Sequence, residues 1–292
     1  MGTECKLADR TKRHAAKRRD EENMGRLDGK YAVVTGGTQG LGAEVARLFA
    51  ERGAKGLTIC GRNADKGRAK AAEITERYDV PVVFVEADLG KVEDCRKVIA
   101  AAHARFGTID ALVNVAAITD RGTILDTDQD LFDRMFAINT RAPFFLMQDT
   151  IKVMREHGTE GTIVNISSMS AMGGQPFIAA YCASKGALDT LTRNTAFALL
   201  KNRIRVNGLN IGWMSSDGED RIQREFHGAS EDWLDKAAAA QPFGRLVDPA
   251  EVARAVAYLS SAESGLMTGS TINFDQSIWG AYEDSPHPRH AL

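Results

Sequence analysis

The pentapeptide Tyr181-Cys182-Ala183-Ser184-Lys185 sets a phenol and an ammonium four residues apart, in a helical pattern that follows a glycine-containing loop. At that spacing two side chains share one helix face. An amphipathic surface would explain the pair, and so would proton-transfer chemistry. A free phenol titrates near ~10, too high for a good base at neutral pH. A close cation favours the phenolate, typically by ~1–3 units. Lys185 is therefore expected to lower the pKa of Tyr181, making it the proton donor to a developing alkoxide or, in reverse, the base toward an alcohol. Ser168 ends a β-branched run, where ligands of open α/β sheets gather. Ser167, next to it, should alternate to the other face.

A second constellation lies far upstream. A strand pattern runs directly into Thr35-Gly36-Gly37-Thr38-Gln39-Gly40-Leu41-Gly42 and then into a helix. Glycines permit a tight turn and close approach to a diphosphate, and the amides at a helix start supply donors and a positive dipole end. Placed between strand and helix at the head of a βαβ series, the string points to a dinucleotide. A carboxylate ending the second strand would bind an adenosine ribose. Here the chain reads Cys60-Gly61-Arg62-Asn63, so the acid is absent and Arg62 can clamp a 2′-phosphate. NADP(H) is preferred on that ground, and NAD(H) stays open.

The elements that must position these groups alternate strand with helix. Strands are expected at 30–36, 56–61, 82–88, 109–116, 161–168, 204–210 and 270–274, and helices at 41–52, 64–78, 91–106, 128–156, 179–201 and 249–262. Gly53 and Asp248-Pro249 punctuate the first and last helices. This order predicts an α/β fold, a doubly wound seven-stranded parallel sheet, in one domain spanning 26–280. Residues 213–245 break the rhythm and are expected to form a helical lid. Residues 10–19 carry six Lys/Arg ahead of Asp20, so 1–25 is expected to be a disordered basic extension, and 281–292 a tail.

A net charge of −2 and 43% apolar content give no field that would gather nucleic acid or an anionic membrane. The four cysteines, Cys5, Cys60, Cys95 and Cys182, form no C-x-x-C pair, and no apolar run approaches a membrane span. A reduced, cytoplasmic protein without bound metal is expected.

The motif at 35–42, Asp88 ending the third strand, Asn114 at the fourth, Asn139, Ser168 and the Tyr181/Lys185 pair together resemble the short-chain dehydrogenase/reductase family over about 26–279. The resemblance implies that Ser168 orients the substrate oxygen, that Lys185 also holds the nicotinamide ribose, and that Asn139 holds a water in a proton relay to Lys185. It implies cofactor contacts from Gly36, Thr38, Gln39, Gly40, Leu41 and Gly42, from Asp88, Leu89, Asn114 and Ala116, and from Ile211, Gly212 and Ser216. Two departures stand out. Asn114-Val115-Ala116-Ala117 lacks the family's glycine, and Ile211-Gly212 lacks its proline.

The function implied is hydride transfer between NADP(H) or NAD(H) and a secondary alcohol or ketone. Asp217, Glu219, Asp220, Arg221 and Arg224 suggest a polyol or sugar, although Trp213, Met214 and Phe226 would equally line an apolar pocket. The alternative is a dinucleotide-binding sensor or scaffold without chemistry, which would need only the glycine loop. The resemblance also implies a homodimer or homotetramer, with helices 128–156 and 179–201 as contact faces.

Overall fold

The computed structural model describes residues 25–278. The β-branched runs become β1 Tyr31–Thr35, β2 Gly56–Gly61, β3 Val82–Glu86, β4 Ala111–Asn114, β5 Thr162–Ser168, β6 Arg205–Ile211 and β7 Thr271–Phe274. All pair in parallel, in the order β3-β2-β1-β4-β5-β6-β7. The expected doubly wound sheet is thus the fold. The winding direction reverses between β1 and β4, and at such a switch point the loops diverge to leave a crevice for a ligand.

Strand alternation builds two cores. Val34, Ile59, Val113 and Val164 face Phe49 of α1 (Gly40–Glu51), Ile74 of α2 (Ala64–Tyr78) and Val252 and Val256 of α9 (Pro249–Ser260). Their neighbours Val33, Cys60, Leu112 and Ile163 point the other way. They meet Val98 and Ile99 of α3 (Val92–Phe106), Leu146 and Met154 of α5 (Ala142–Glu156), and Ala196 of α6 (Ala179–Ala198). Each large side chain buried this way contributes about 1.5–3 kcal/mol. Local chemistry sets the helix ends: Asn63 Oδ1 accepts from Lys66 N at 2.9 Å, Asp248 Oδ1 accepts from Ala250 N at 2.8 Å, and Gly53 takes φ +88° after α1.

Two expected helices differ. The stretch 128–156 is not continuous: α4 (Gln129–Phe136) passes through a π-helical turn, Ala137–Arg141, before α5. The Asn139 side chain is pulled out of the helix to bond the backbone of Ile118, and one extra residue in the turn accommodates it. The stretch 179–201 ends as α6 at Ala198 and closes with a 3₁₀ turn, Leu200–Asn202.

Within 213–245 lie α7 (Asp217–His227) and α8 (Trp233–Ala239). Trp233 Nε1 donates to Asp220 Oδ1 at 2.7 Å, and Trp213 and Trp233 stack with centroids 6.3 Å apart. The segment therefore packs largely on itself, with Trp233, Ala237 and Leu246 as a small separate core. The basic extension before residue 25 and the tail after 280 lie outside the described residues. Among those described, no helix is long and apolar enough to cross a membrane.

A buried polar relay ties the sheet to α6. Asn165 accepts from Asn114 Nδ2 at 2.8 Å and donates to Thr192 Oγ1 at 2.9 Å. Asn165→Ala leaves both partners without these bonds, and each such loss costs about 1–3 kcal/mol. The variant is expected to show a lower denaturant midpoint at unchanged slope; a wild-type midpoint would contradict the relay's role.

Candidate active site

The start of α6 is fixed by a short parallel bridge: Gly122 N donates to Phe177 O at 2.9 Å and Ala179 N donates to Gly122 O at 3.0 Å. From this anchored turn Tyr181 and Lys185 project toward the carboxyl end of β5. Lys185 is 2% exposed, donates from Nζ to Ile166 O at 2.8 Å, and lies 5.8 Å from the Tyr181 ring centroid. Burial lowers its pKa to about 8, and Asp189, one turn further along α6, acts in the opposite sense. Asp189 is itself 5% exposed, and burial raises its pKa while the Ser167 and Asn210 side chains act in the opposite sense.

The Ser168 hydroxyl, which accepts from Ser170 N at 3.1 Å, lies close enough to Tyr181 to influence the phenol's titration. The phenol is not lowered as expected. Burial pushes it up to about 12; the Ser168 hydroxyl and the Arg121 guanidinium pull it back, while Cys182 and Glu219 push further up. The reason is geometric: the Lys185 ammonium is engaged by a strand carbonyl and lies against the phenol ring. Ser167 alternates away from Tyr181, as strand geometry requires, and its hydroxyl donates to Lys185 O at 3.5 Å.

Asn139 is fully buried and sewn to both neighbours of the site. Its Oδ1 accepts from Ile118 N at 3.0 Å, while Nδ2 donates to Ile118 O at 2.9 Å and to Ser184 Oγ at 3.1 Å. Ser184 Oγ in turn donates to Tyr181 O at 2.8 Å, and Thr140 Oγ1 donates to Ser184 O at 2.9 Å. The π turn thus grips α6 between Tyr181 and Lys185. Ser184 was not singled out from sequence because one serine among small residues carries no periodic signal.

The glycine loop sits at the β1/β4 switch point. Gly36 (φ +67°) and Gly40 (φ +52°) adopt left-handed backbone, and a Cβ on Gly42 would lie 2.2 Å from Gly36 O. Thr35 Oγ1 accepts from Val115 N at 2.9 Å and Ala116 N at 3.1 Å, and a Cβ on Gly36 would meet Ala116 at 3.2 Å. The loops after β1 and β4 are therefore clipped together. Ala117, where the family has glycine, is not among the residues of positive φ, so that loss introduces no backbone strain.

Several features fit this crevice to a dinucleotide. Gln39 caps α1 without a side-chain bond and no acid occupies the first turn, so Leu41 and its neighbours present free amides to a phosphate. Asn114 Oδ1 is buried with no hydrogen-bond partner among the described residues. A Cβ on Gly61 would lie 2.8 Å from Thr38 Cγ2, so the end of β2 abuts the loop just before exposed Arg62. Arg62 and Asp88 border an open cleft of about 870 Å³ with Lys91 and Arg141. Asp88 Oδ1 accepts from Gly90 N at 3.0 Å, and Leu89 is buried in the core beside α3.

At the end of β6, Ile211 is buried and Gly212 N donates to Phe274 O at 3.0 Å. A Cβ on Gly212 would lie 1.8 Å from the Asp275 carboxylate, so any larger residue would have to displace that side chain. Ser216 caps α7, accepting from Glu219 N at 3.2 Å. Sequence reasoning missed Arg121, which the fold brings within electrostatic reach of Tyr181 and Glu219. Its Nε donates to His227 Nε2 at 3.0 Å, and its guanidinium lies over the Phe177 ring. Glu219 accepts from Trp213 Nε1 and Gln223 Nε2, both at 2.8 Å. These residues come from three separate segments, so no local spacing betrays them.

Residues 36–276 match the family model described as Enoyl-(Acyl carrier protein) reductase. The chain is 31% identical to a sorbitol dehydrogenase of Cereibacter sphaeroides over 87% of its length and 99% of that protein's. It is 35% identical to a 3-beta-hydroxysteroid dehydrogenase of Comamonas testosteroni over 87% of its length and 98% of that protein's. Among solved structures, the L-sorbose reductase of Gluconobacter frateurii, complexed with NADPH and L-sorbose, superposes with a TM-score of 0.83 at 26% identity, covering 88% of this chain and 99% of that one. With its glycine turn, buried lysine and neighbouring serine and tyrosine at one end of the sheet, the chain belongs to the short-chain dehydrogenase/reductase family.

Proposed function

We propose that this oxidoreductase interconverts a secondary alcohol of polyol or sugar type with its ketone, using NADP(H) in preference to NAD(H), with Tyr181 as the acid/base. The observation that carries the proposal is the buried Lys185 ammonium, held by Ile166 O and 5.8 Å from the Tyr181 ring centroid, beside a Ser168 hydroxyl that lowers the phenol's pKa. A pure dinucleotide sensor has no use for a desolvated cation behind a phenol. When bound in the crevice, the nicotinamide supplies or accepts the hydride. The chain's own groups handle the proton. In reduction, Ser168 orients the carbonyl oxygen and Tyr181 donates its proton to that oxygen as negative charge develops there; in oxidation the same proton returns. Ser168 and Arg121 ease the charge on the phenolate left behind, Lys185 holds the nicotinamide ribose, and Asn139 holds Ile118 and α6 in register and carries the water relay toward Lys185.

Sequence identity alone does not choose between a polyol and a steroid, so the pocket wall must. Arg121 is a donor and Glu219 an acceptor, both near the phenol, and Trp213 is turned by its bond to Glu219. Such a wall satisfies hydroxyl groups next to the reacting carbon and leaves an apolar skeleton with unpaired polar partners. Arg62, beside Lys91 and Arg141, supplies charge for a 2′-phosphate, in keeping with the NADPH named for the sorbose reductase. Exposed Phe144 and Phe197 on α5 and α6 support association into dimers or tetramers, and a cytoplasmic setting accords with the buried, unpaired thiols of Cys60 and Cys95.

Tyr181→Phe is expected to abolish turnover while leaving dinucleotide binding close to wild type; near-normal turnover would defeat the assignment. A panel of polyols, sugars, steroids and simple ketones, assayed by nicotinamide absorbance with each cofactor, should favour polyhydroxy substrates and NADP(H). Arg62→Ala should raise KM for NADPH at least about ten-fold, the equivalent of one lost charge-assisted contact, and leave that for NADH nearly unchanged. The pH profile follows from the two shifted groups. Below about 8, Lys185 is cationic and Tyr181 protonated, the state needed for reduction; above it the ammonium is lost. Ketone reduction should therefore decline as pH rises through about 8, whereas alcohol oxidation, which needs phenolate, should increase with pH. Reduction that climbs through that range would refute these roles.

A further inference from the structure

Two histidines outside the hydride chemistry meet at the opposite end of the sheet. His103 lies in the last turn of α3, and His157 directly follows α5. Their Nε2 atoms are 3.1 Å apart, with the rings edge-on at 74°. Glu156 completes the cluster, in which one ligand atom from each residue lies within 4.8 Å of the others. Since α3 leads into the first residue of β4, the cluster sits beside the amino ends of the strands, whereas Ser168 is the last residue of β5.

Three physical arguments converge on a cation. Two imidazoles and a carboxylate form the borderline donor set that suits zinc-like metals and poorly suits magnesium or calcium. At metal–nitrogen distances of about 2.0–2.1 Å, two ligands of a tetrahedral ion stand roughly 3.3 Å apart, close to the separation already present. Both histidines also lie at helix C-termini, where the negative ends of the dipoles favour positive charge.

The frame is stiff. Helices α3 and α5 share one buried cluster, with Val98, Ile99 and Ala102 on one side and Val153 and Met154 on the other. Gly107 N donates to His103 O at 2.8 Å, Thr159 N donates to Met154 O at 2.8 Å, and the Thr108 and Thr159 hydroxyls meet at 3.0 Å. Glu156 and His157 are exposed, so an ion has a path in. We propose that His103, Glu156 and His157 bind one zinc-class divalent ion, with water in the fourth position, clamping α3 to α5. Being at the far end of the strands from Tyr181, the ion acts on stability and leaves turnover unchanged.

The test uses the full chain, stripped with a chelator and titrated with Zn²⁺ by calorimetry, with Mg²⁺ as the hard-ion control. One Zn²⁺ per chain should bind and raise Tm without altering kcat, and Mg²⁺ should do neither. His103→Ala or His157→Ala should weaken binding at least about 10–100-fold, the loss that follows even removal of an outer-shell partner. Glu156→Gln should weaken it less. His14, His287 and His290 lie outside the described residues, so His287→Ala/His290→Ala should keep the site. Loss of binding in that variant, undiminished binding in His103→Ala/His157→Ala, or no Zn²⁺ uptake by the wild type would overturn the proposal and leave an imidazole–imidazole hydrogen bond. Should the alanine variants misfold, Co²⁺ added to the wild type should broaden the NMR signals of His103 and His157 ahead of those of His227; the reverse order overturns it equally.

Discussion

A desolvated ammonium is the constraint around which the site is built. Burying Lys185 disfavours its charged form, and the fold retains that charge near neutral pH only by giving Nζ the Ile166 carbonyl and setting Asp189 one helical turn away. The carbonyl belongs to β5, two residues before Ser168, so the bond that satisfies the cation also sets the height of α6 against the strand that carries the serine. Tyr181, on the same helix face, then meets Ser168 without further adjustment.

The π turn serves the same end from the other side. Asn139 breaks a helix that the pattern would continue, and the break lets one amide bond both polar groups of Ile118 and the hydroxyl of Ser184. An asparagine so placed is cut off from bulk solvent, so its side-chain amide depends on these protein partners. Its bonds hold the loop after β4 against the middle of the Tyr181–Lys185 segment. Together with the Thr35 clip between the β1 and β4 loops, they link the glycine turn and the Tyr181–Lys185 segment in one frame.

Much of this was legible in the chain. The seven β-branched runs, the glycine loop between strand and helix, and the i,i+4 tyrosine and lysine each depend on neighbours in sequence, and each appears where the pattern puts it. The interrupted helix was hidden because its cause, the pairing of Asn139 with Ile118, joins residues 21 apart. The direction of the phenol's shift was misjudged for a related reason: spacing reports that two side chains share a face, not which atoms face each other, nor how much water is excluded.

By itself the sequence determined which groups could carry protons and phosphates, since residue type and local period set donors, charges and helix faces. Tertiary structure alone decided their electrostatics, because desolvation and long-range bonds depend on what packs above them. Arg121 and Glu219 come from a loop and a helix far apart in the chain, and the His103, Glu156 and His157 cluster from the ends of two helices. Neither has a local signature; each exists only once a core has brought separate backbones within reach.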